Sequence, residues 1–294
     1  MKAKFLHCIT VVCTAVLCAS AQEATQSNSG WKYTVLTNLT LTLNTYSDNW
    51  AGGEFSAFSW AWQFNGTAEK ALAPWVKSNN TLKLAFGQTA LQDSAKNWGE
   101  LKKSTDLIDL ETMARFTLKS VVDPFVGVRV VSQFSDQRVE NATYYGNPIV
   151  ITESFGAIRD IIKNERLDWT ARLGGALRQS IDLNEDTVVQ PETIINDGGI
   201  EFVTNLKAKT EDNRISYLTQ VKVYEALFSS IPGSDTLNEW RYPDVLWENT
   251  LGITLAKYIM LNLYAQLIYD KEIDDAVRWK NVVGLALTFS AANW

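Results

Sequence analysis

The sequence predicts an all-β fold, a transmembrane up-and-down antiparallel β-barrel of about twelve strands. Three observations carry that prediction. Apolar and polar residues alternate with a period of two through most of the chain after residue 30. The alternating segments run to about ten residues or more, as a tilted membrane strand requires, whereas soluble strands average about five or six. The connections between them alternate between short turns and longer polar stretches, the pattern of barrels with short turns on one side of a membrane and long loops on the other.

The chain begins with a leader. Lys2 and Lys4 are followed by an apolar stretch from Phe5 to Leu17, and Ala19-Ser20-Ala21 gives a small-x-small cleavage site. Residues 1–21 therefore read as a cleaved secretory signal peptide, 22–30 as a short polar lead-in and 31–294 as the barrel. The apolar stretch is too short to span a bilayer. All three cysteines (Cys8, Cys13, Cys18) and the single histidine (His7) lie in the leader. The mature chain thus lacks thiolates, imidazole bases and the usual zinc ligands, so we expect no catalytic residues, no metal and no cofactor. A Ser–His pair cannot form, which sets an outer-membrane enzyme behind the other readings. Losing Lys2 and Lys4 takes the formal charge from −6 to −8, which argues against a nucleic-acid partner.

The first strand is 31–43, with Trp31, Tyr33, Val35, Leu39, Leu41 and Leu43 on one face and Lys32, Thr34, Asn38, Thr40 and Thr42 on the other. The same alternation gives strands at 58–65, 82–87, 108–118, 126–134, 169–178, 200–207, 215–223, 245–255, 259–269 and 277–289. A twelfth is placed at 149–162 because an up-and-down order needs one there; its alternation is poor, and Glu153 and Arg159 share its more apolar parity. Short turns are expected at 120–123, 163–166, 210–213 and 256–257, and a longer one near 67–79. Longer loops are expected at 90–105, 136–148, 183–198 and 229–243, and a short one at 271–275. Trp60, Trp169, Trp247 and Trp279 fall on outward parity, where barrels collect aromatics at the lipid–water interfaces. The terminal Trp294 is out of step with Leu285, Leu287 and Phe289, so 290–294 reads as a short tail.

Asn49-Trp50-Ala51-Gly52-Gly53-Glu54, Leu84-Ala85-Phe86-Gly87, Asp106-Leu107-Ile108-Asp109-Leu110 and the closing hairpin from Tyr269-Asp270 to Trp279-Lys280 resemble a family of Gram-negative outer-membrane barrels labelled only as a domain of unknown function. The resemblance implies a barrel with a bacterial outer-membrane address. It implies no substrate and no catalytic residue. In the first motif Gly52-Gly53 suits a tight turn, with Asn49 and Trp50 placed at the outer interface.

The polar parity carries long charged side chains in mid-strand, as a wet lumen permits. Lys32, Lys83, Arg115, Arg129, Arg172, Arg178, Lys207, Lys222, Arg278 and Lys280 are expected inward, against Asp109, Glu111, Glu201 and Glu248. Ten cations against four anions suggest an anion-leaning channel or transporter for small solutes, a porin-like function. The alternative is a structural or binding barrel whose lumen is plugged by pairing of the same charges. Outer-membrane lipid and the barrel-assembly machinery are the expected partners.

Overall fold

The computed structural model describes residues 30–46, 55–93, 95–118, 120–138, 143–183, 193–230 and 241–292. Contacts divide the chain into Met1–Gly30 and Trp31–Trp294, and the second unit holds all the described strands. The leader, the motif at Asn49, Trp50, Gly52 and Gly53, and Trp294 lie outside the described residues.

The strands are β1 (Lys32–Asn44), β2 (Ala57–Ala73), β3 (Val76–Leu91), β4 (Lys102–Phe116), β5 (Asp123–Ser132), β6 (Ser135–Asp136), β7 (Tyr144–Tyr145), β8 (Ile149–Lys163), β9 (Leu167–Asp182), β10 (Thr193–Lys209), β11 (Ile215–Ser229), β12 (Asp244–Ala256), β13 (Ile259–Asp270) and β14 (Asp274–Ala292). Twelve of them close one antiparallel barrel in which each pairs with its chain neighbour, β5 pairs with β8, and β1 pairs with β14. Closure leaves no strand edge open, which is what a sheet in hydrocarbon must achieve. The small β6–β7 hairpin stands apart in the connection from β5 to β8.

The first and last strands meet at one end, with Thr34 opposite Ala292. Connections 74–75, 117–122, 164–166, 210–214 and 257–258 lie at that turn end. The strand ends Asn44 and Ala57, Leu91 and Lys102, Ser132 and Ile149, Asp182 and Thr193, Ser229 and Asp244, and Asp270 and Asp274 lie at the opposite, loop end.

Every expected strand is present, including 149–163. Two details differ from the sequence reading. The long first turn at 67–79 is instead the extension of β2 and β3, and only Pro74 and Trp75 turn. The tail after Phe289 is strand as far as Ala292, paired with β1. On β8, Glu153 and Arg159 take the outward parity, opposite the buried and inward Ser154 and Ile158. The pairing of β8 with β5 and β9 fixes that register, so the more apolar parity faces outward with these two charges on it, as the sequence reads.

The outer surface is apolar along most strands. Leu43, Phe155, Val283 and Trp279 are 63%, 62%, 64% and 73% exposed, a surface suited to hydrocarbon. Three tryptophan N–H groups on this face are satisfied locally. Trp62, Trp169 and Trp247 donate from Nε1 to Thr37, Thr204 and Thr219 on the neighbouring strand, at 2.9, 2.8 and 3.0 Å. Such a donor has no water to turn to in lipid. Replacing Thr204 with Val, which keeps shape and loses the acceptor, is expected to cost about 1 kcal/mol, read by urea unfolding from lipid vesicles. No loss would show that the indole is solvated there.

At the loop end the β5–β8 connection is held by charge. Asp136, 1% exposed, accepts from the Arg138 guanidinium and backbone and from Asn147 Nδ2, while Arg138 also reaches Asp182 at 2.9 Å. The hydrogen bonds from Arg138 hold the Asp136 carboxyl at about 2. A carboxyl depressed in the folded state stabilises above its unfolded value and loses that contribution as pH falls through about 2. The advantage in thermal stability of the wild type over Asp136→Asn is therefore expected at neutral pH and should vanish between about pH 4 and pH 2.

Candidate functional site in the lumen

With the apolar face turned outward, the interior has to be built from the other parity. All fourteen charged residues expected inward lie on the inward register of their strands, set by pairs such as Lys83 with Asp109, Glu111 with Arg129, and Gln220 with Glu248. Lys32 and Lys207 are exposed near the turn end, and the other twelve are buried or half-buried.

The structure brings eight of them together at mid-height. Arg129 grips Asp109 in a two-point pair, Nε to Oδ1 at 2.8 Å and Nη2 to Oδ2 at 2.9 Å. Arg172, 6% exposed, holds Glu111 at 2.5 Å and Glu201 at 3.5 Å, and its guanidinium stacks over Phe125 at 5.5 Å. Lys83 holds Glu248 at 3.2 Å, and Tyr264 donates to the same carboxylate at 2.8 Å. Lys222, 7% exposed, lies beside Asp109 and Glu111. Four cations thus meet four anions, and the mid-lumen has no net charge.

The Lys83 contacts are the ones that matter for passage. Its ammonium also donates to Gln220 Oε1 at 3.4 Å. Counting round the closed order, β11 lies six strands from β3 in either direction. The side chains therefore meet across the full width of the barrel. Gln220 is tied in turn to Asn205 on β10. A second chord runs from Arg172 on β9 to Glu111 on β4, three strands apart. Toward the turn end, Met113, Phe125 and Ile158 form an inward apolar cluster against Arg172, whose Nη1 lies 3.8 Å from Met113 Sδ.

Two further groups flank this layer. At the turn end Arg115 holds Asp123 and Asp160, each at 2.7 Å. At the loop end Arg178 holds Asp197 at 3.0 Å and Asp244 at 2.5 Å and lies 4.4 Å above the Tyr224 ring. Lys280 reaches Thr105 Oγ1 at 2.6 Å, from β14 to β4. The remaining expected cation, Arg278, sits opposite Ile268 with its Nε buried and unpartnered among the described residues.

The cation excess read from the sequence is corrected here. Asp123, Asp160, Asp197 and Asp244 face inward and ion-pair with Arg115 or Arg178. Glu69, Asp168, Asp182 and Asp270 join them on the inward register, with Lys77, Lys163 and Lys209 the added cations. Most of these residues lie at strand ends, where the sequence reads as turn or loop; Asp160 lies within the expected strand 149–162, whose poor alternation hides its parity. The signal that could have found them was strand length: extending each alternation by three residues at its ends recovers Asp123, Asp197 and Asp244.

Residues 41–137 match a family model described as a protein of unknown function, DUF3078, in agreement with the resemblance seen in the sequence. No curated protein matches the chain. Among solved structures, an outer-membrane channel from Pseudomonas putida F1 is 12% identical with a TM-score of 0.45, covering 92% of this chain and 100% of its own. The translocator domain of the autotransporter NalP from Neisseria meningitidis is 10% identical with a TM-score of 0.34, covering 98% and 96%. Pseudomonas putida OprB is 10% identical with a TM-score of 0.30, covering 90% and 94%.

Proposed function

We propose that the chain is a bacterial outer-membrane barrel that works with its lumen closed, as a structural or binding barrel whose loop end carries recognition. The contact that supports this best is Lys83, joined to Glu248 and Gln220 on the opposite wall. A solute following the axis would have to separate an ion pair with side chains only 23% and 14% exposed, and would leave both charges poorly solvated. The Arg172–Glu111 chord and the apolar cluster beneath it add a second obstruction. The anion-leaning pore loses its ground, because the inward acids Asp123, Asp160, Asp197 and Asp244 offset the cations.

The apolar outer belt and the closed edge support a home in the outer membrane, surrounded by its lipid and inserted by the barrel-assembly machinery. The long connections would then face outward. The protein should fractionate with outer membranes and migrate faster on SDS gels unboiled than boiled. Liposomes loaded with it should not swell in isotonic small sugars or amino acids. Swelling at the rate of a general porin would overturn the closed reading; recovery as a soluble protein without detergent would overturn the barrel's address.

A further inference from the structure

One side of the loop end collects carboxylates in a row. Strand register carries the row round the wall: Glu201 stands opposite Tyr224, Tyr224 opposite Asp244, and Asp270 opposite Asp274. Val245 opposite Tyr269 sets Asp244 beside Asp270. Asp197 adds a further acid from β10, opposite Arg178. Two cations face this sector, Arg178, which already holds Asp197 and Asp244, and Arg278. Lys271 turns aside to Asp275 and the Tyr242 ring. Glu201 is paired with Arg172 in the neutral layer below, and the remaining four acids, Asp197, Asp244, Asp270 and Asp274, outnumber the two bases Arg178 and Arg278.

A second observation points to a missing partner. The Tyr224 hydroxyl and Asp197 Oδ1 are buried and make no hydrogen bond among the described residues. Tyr224 is 9% exposed and Asp197 3%, and the Tyr224 ring lies among Arg178, Asp197, Asp244 and Glu201. A buried polar group without a partner costs about 1–3 kcal/mol, so a pair of them in one place calls for donors that the described residues do not supply. The acids beside them, Asp244 and Asp270, are half-buried, and Asp274 is exposed, which leaves the row open to the solution.

The shape of the row selects the ligand. Neighbouring strands lie about 5 Å apart, so from Glu201 to Asp274 the row extends over about 20 Å. Carboxylates strung along a wall suit a ligand with several N–H donors in a line better than one metal ion, which needs them converging on a point. We propose that this wall, from Glu201 through Tyr224, Asp244 and Asp270 to Asp274, binds a linear organic polycation, a di- or polyamine. Ammonium groups donate to Asp244, Asp270 and Asp274, and a reorientation of Arg178 opens Asp197 Oδ1 and the Tyr224 hydroxyl to the ligand. The proposal rests on the closed-lumen reading to the extent that a cation entering from the loop end stops at this wall.

The probe is spermidine, titrated calorimetrically into the mature protein in neutral detergent micelles, with calcium chloride at matched ionic strength as comparison. Saturable binding of spermidine is expected, weakened about tenfold or more in Asp244→Asn with Asp270→Asn, since hydrogen bonds to charged groups are lost at two positions. Tyr224→Phe is expected to weaken it by a few-fold. Asp274→Asn, at an exposed position, keeps the test open if the double variant does not reach the fast-migrating folded form. Absence of saturable binding, equal affinity in the folded variants, or full displacement by calcium at matched ionic strength would each overturn the proposal. Conductance recorded on the same preparation separates the two readings. A conducting protein that binds spermidine refutes only the closed lumen, and a silent protein that does not bind it refutes only this site.

Discussion

Gly174→Val is expected to be among the most damaging single substitutions in the barrel. Gly174 on β9 stands opposite Gly156 on β8, and the two backbones approach closely there. A Cβ on Gly174 would lie 2.0 Å from the Phe155 carbonyl oxygen and 2.9 Å from the Gly156 Cα. These are backbone atoms, so no side chain can move aside; the strands themselves must separate. The cost is expected to be about 3 kcal/mol or more, with loss of the fast-migrating form on unboiled gels. Gly127→Ala is the control, because its nearest neighbours would be at 3.5 Å, an ordinary contact. Similar stability of the two variants would show that the β8–β9 approach is looser than described.

Arg172→Met should destabilise by about 3–5 kcal/mol, because it leaves the carboxylates of Glu111 and Glu201 in the lumen without their guanidinium. The methionine keeps contact with Met113 and Phe125, so the loss is electrostatic more than steric. Adding Glu111→Gln and Glu201→Gln to the same chain should recover a large part of it, since the three groups form one network. Equilibrium unfolding in urea from detergent or lipid measures both. If the triple variant is no more stable than Arg172→Met alone, the pairing is not what Arg172 contributes.

Much of this was legible in the sequence because a barrel wall has a period of two and one face in lipid. Trp60, Trp62 and Phe64 against Ala61, Gln63 and Asn65 announce β2 without further information. The misreadings have physical causes. Gly66, Ala68 and Lys70 occupy outward positions of β2 near the turn end, where the apolar signal fades, so the β2–β3 extension read as a turn. Asp123, Asp197 and Asp244 resemble loop residues in isolation, and only the neighbouring Arg115 and Arg178 show why they stand in strands. Parity alone assigned Lys83 and Glu248 to the lumen. Their meeting could not be read, because it depends on the closed ring that sets β3 opposite β11 and near β12.

The central claim is that the lumen is shut at mid-height by side chains meeting from opposite walls. Electrical recording of the wild-type mature protein in planar lipid bilayers tests it most directly, on a sample shown to be folded by its unboiled mobility. The Lys83 contacts with Glu248 and Gln220 predict a silent membrane over a wide range of voltage and salt. Steady, reproducible open-channel current from that folded sample would contradict it.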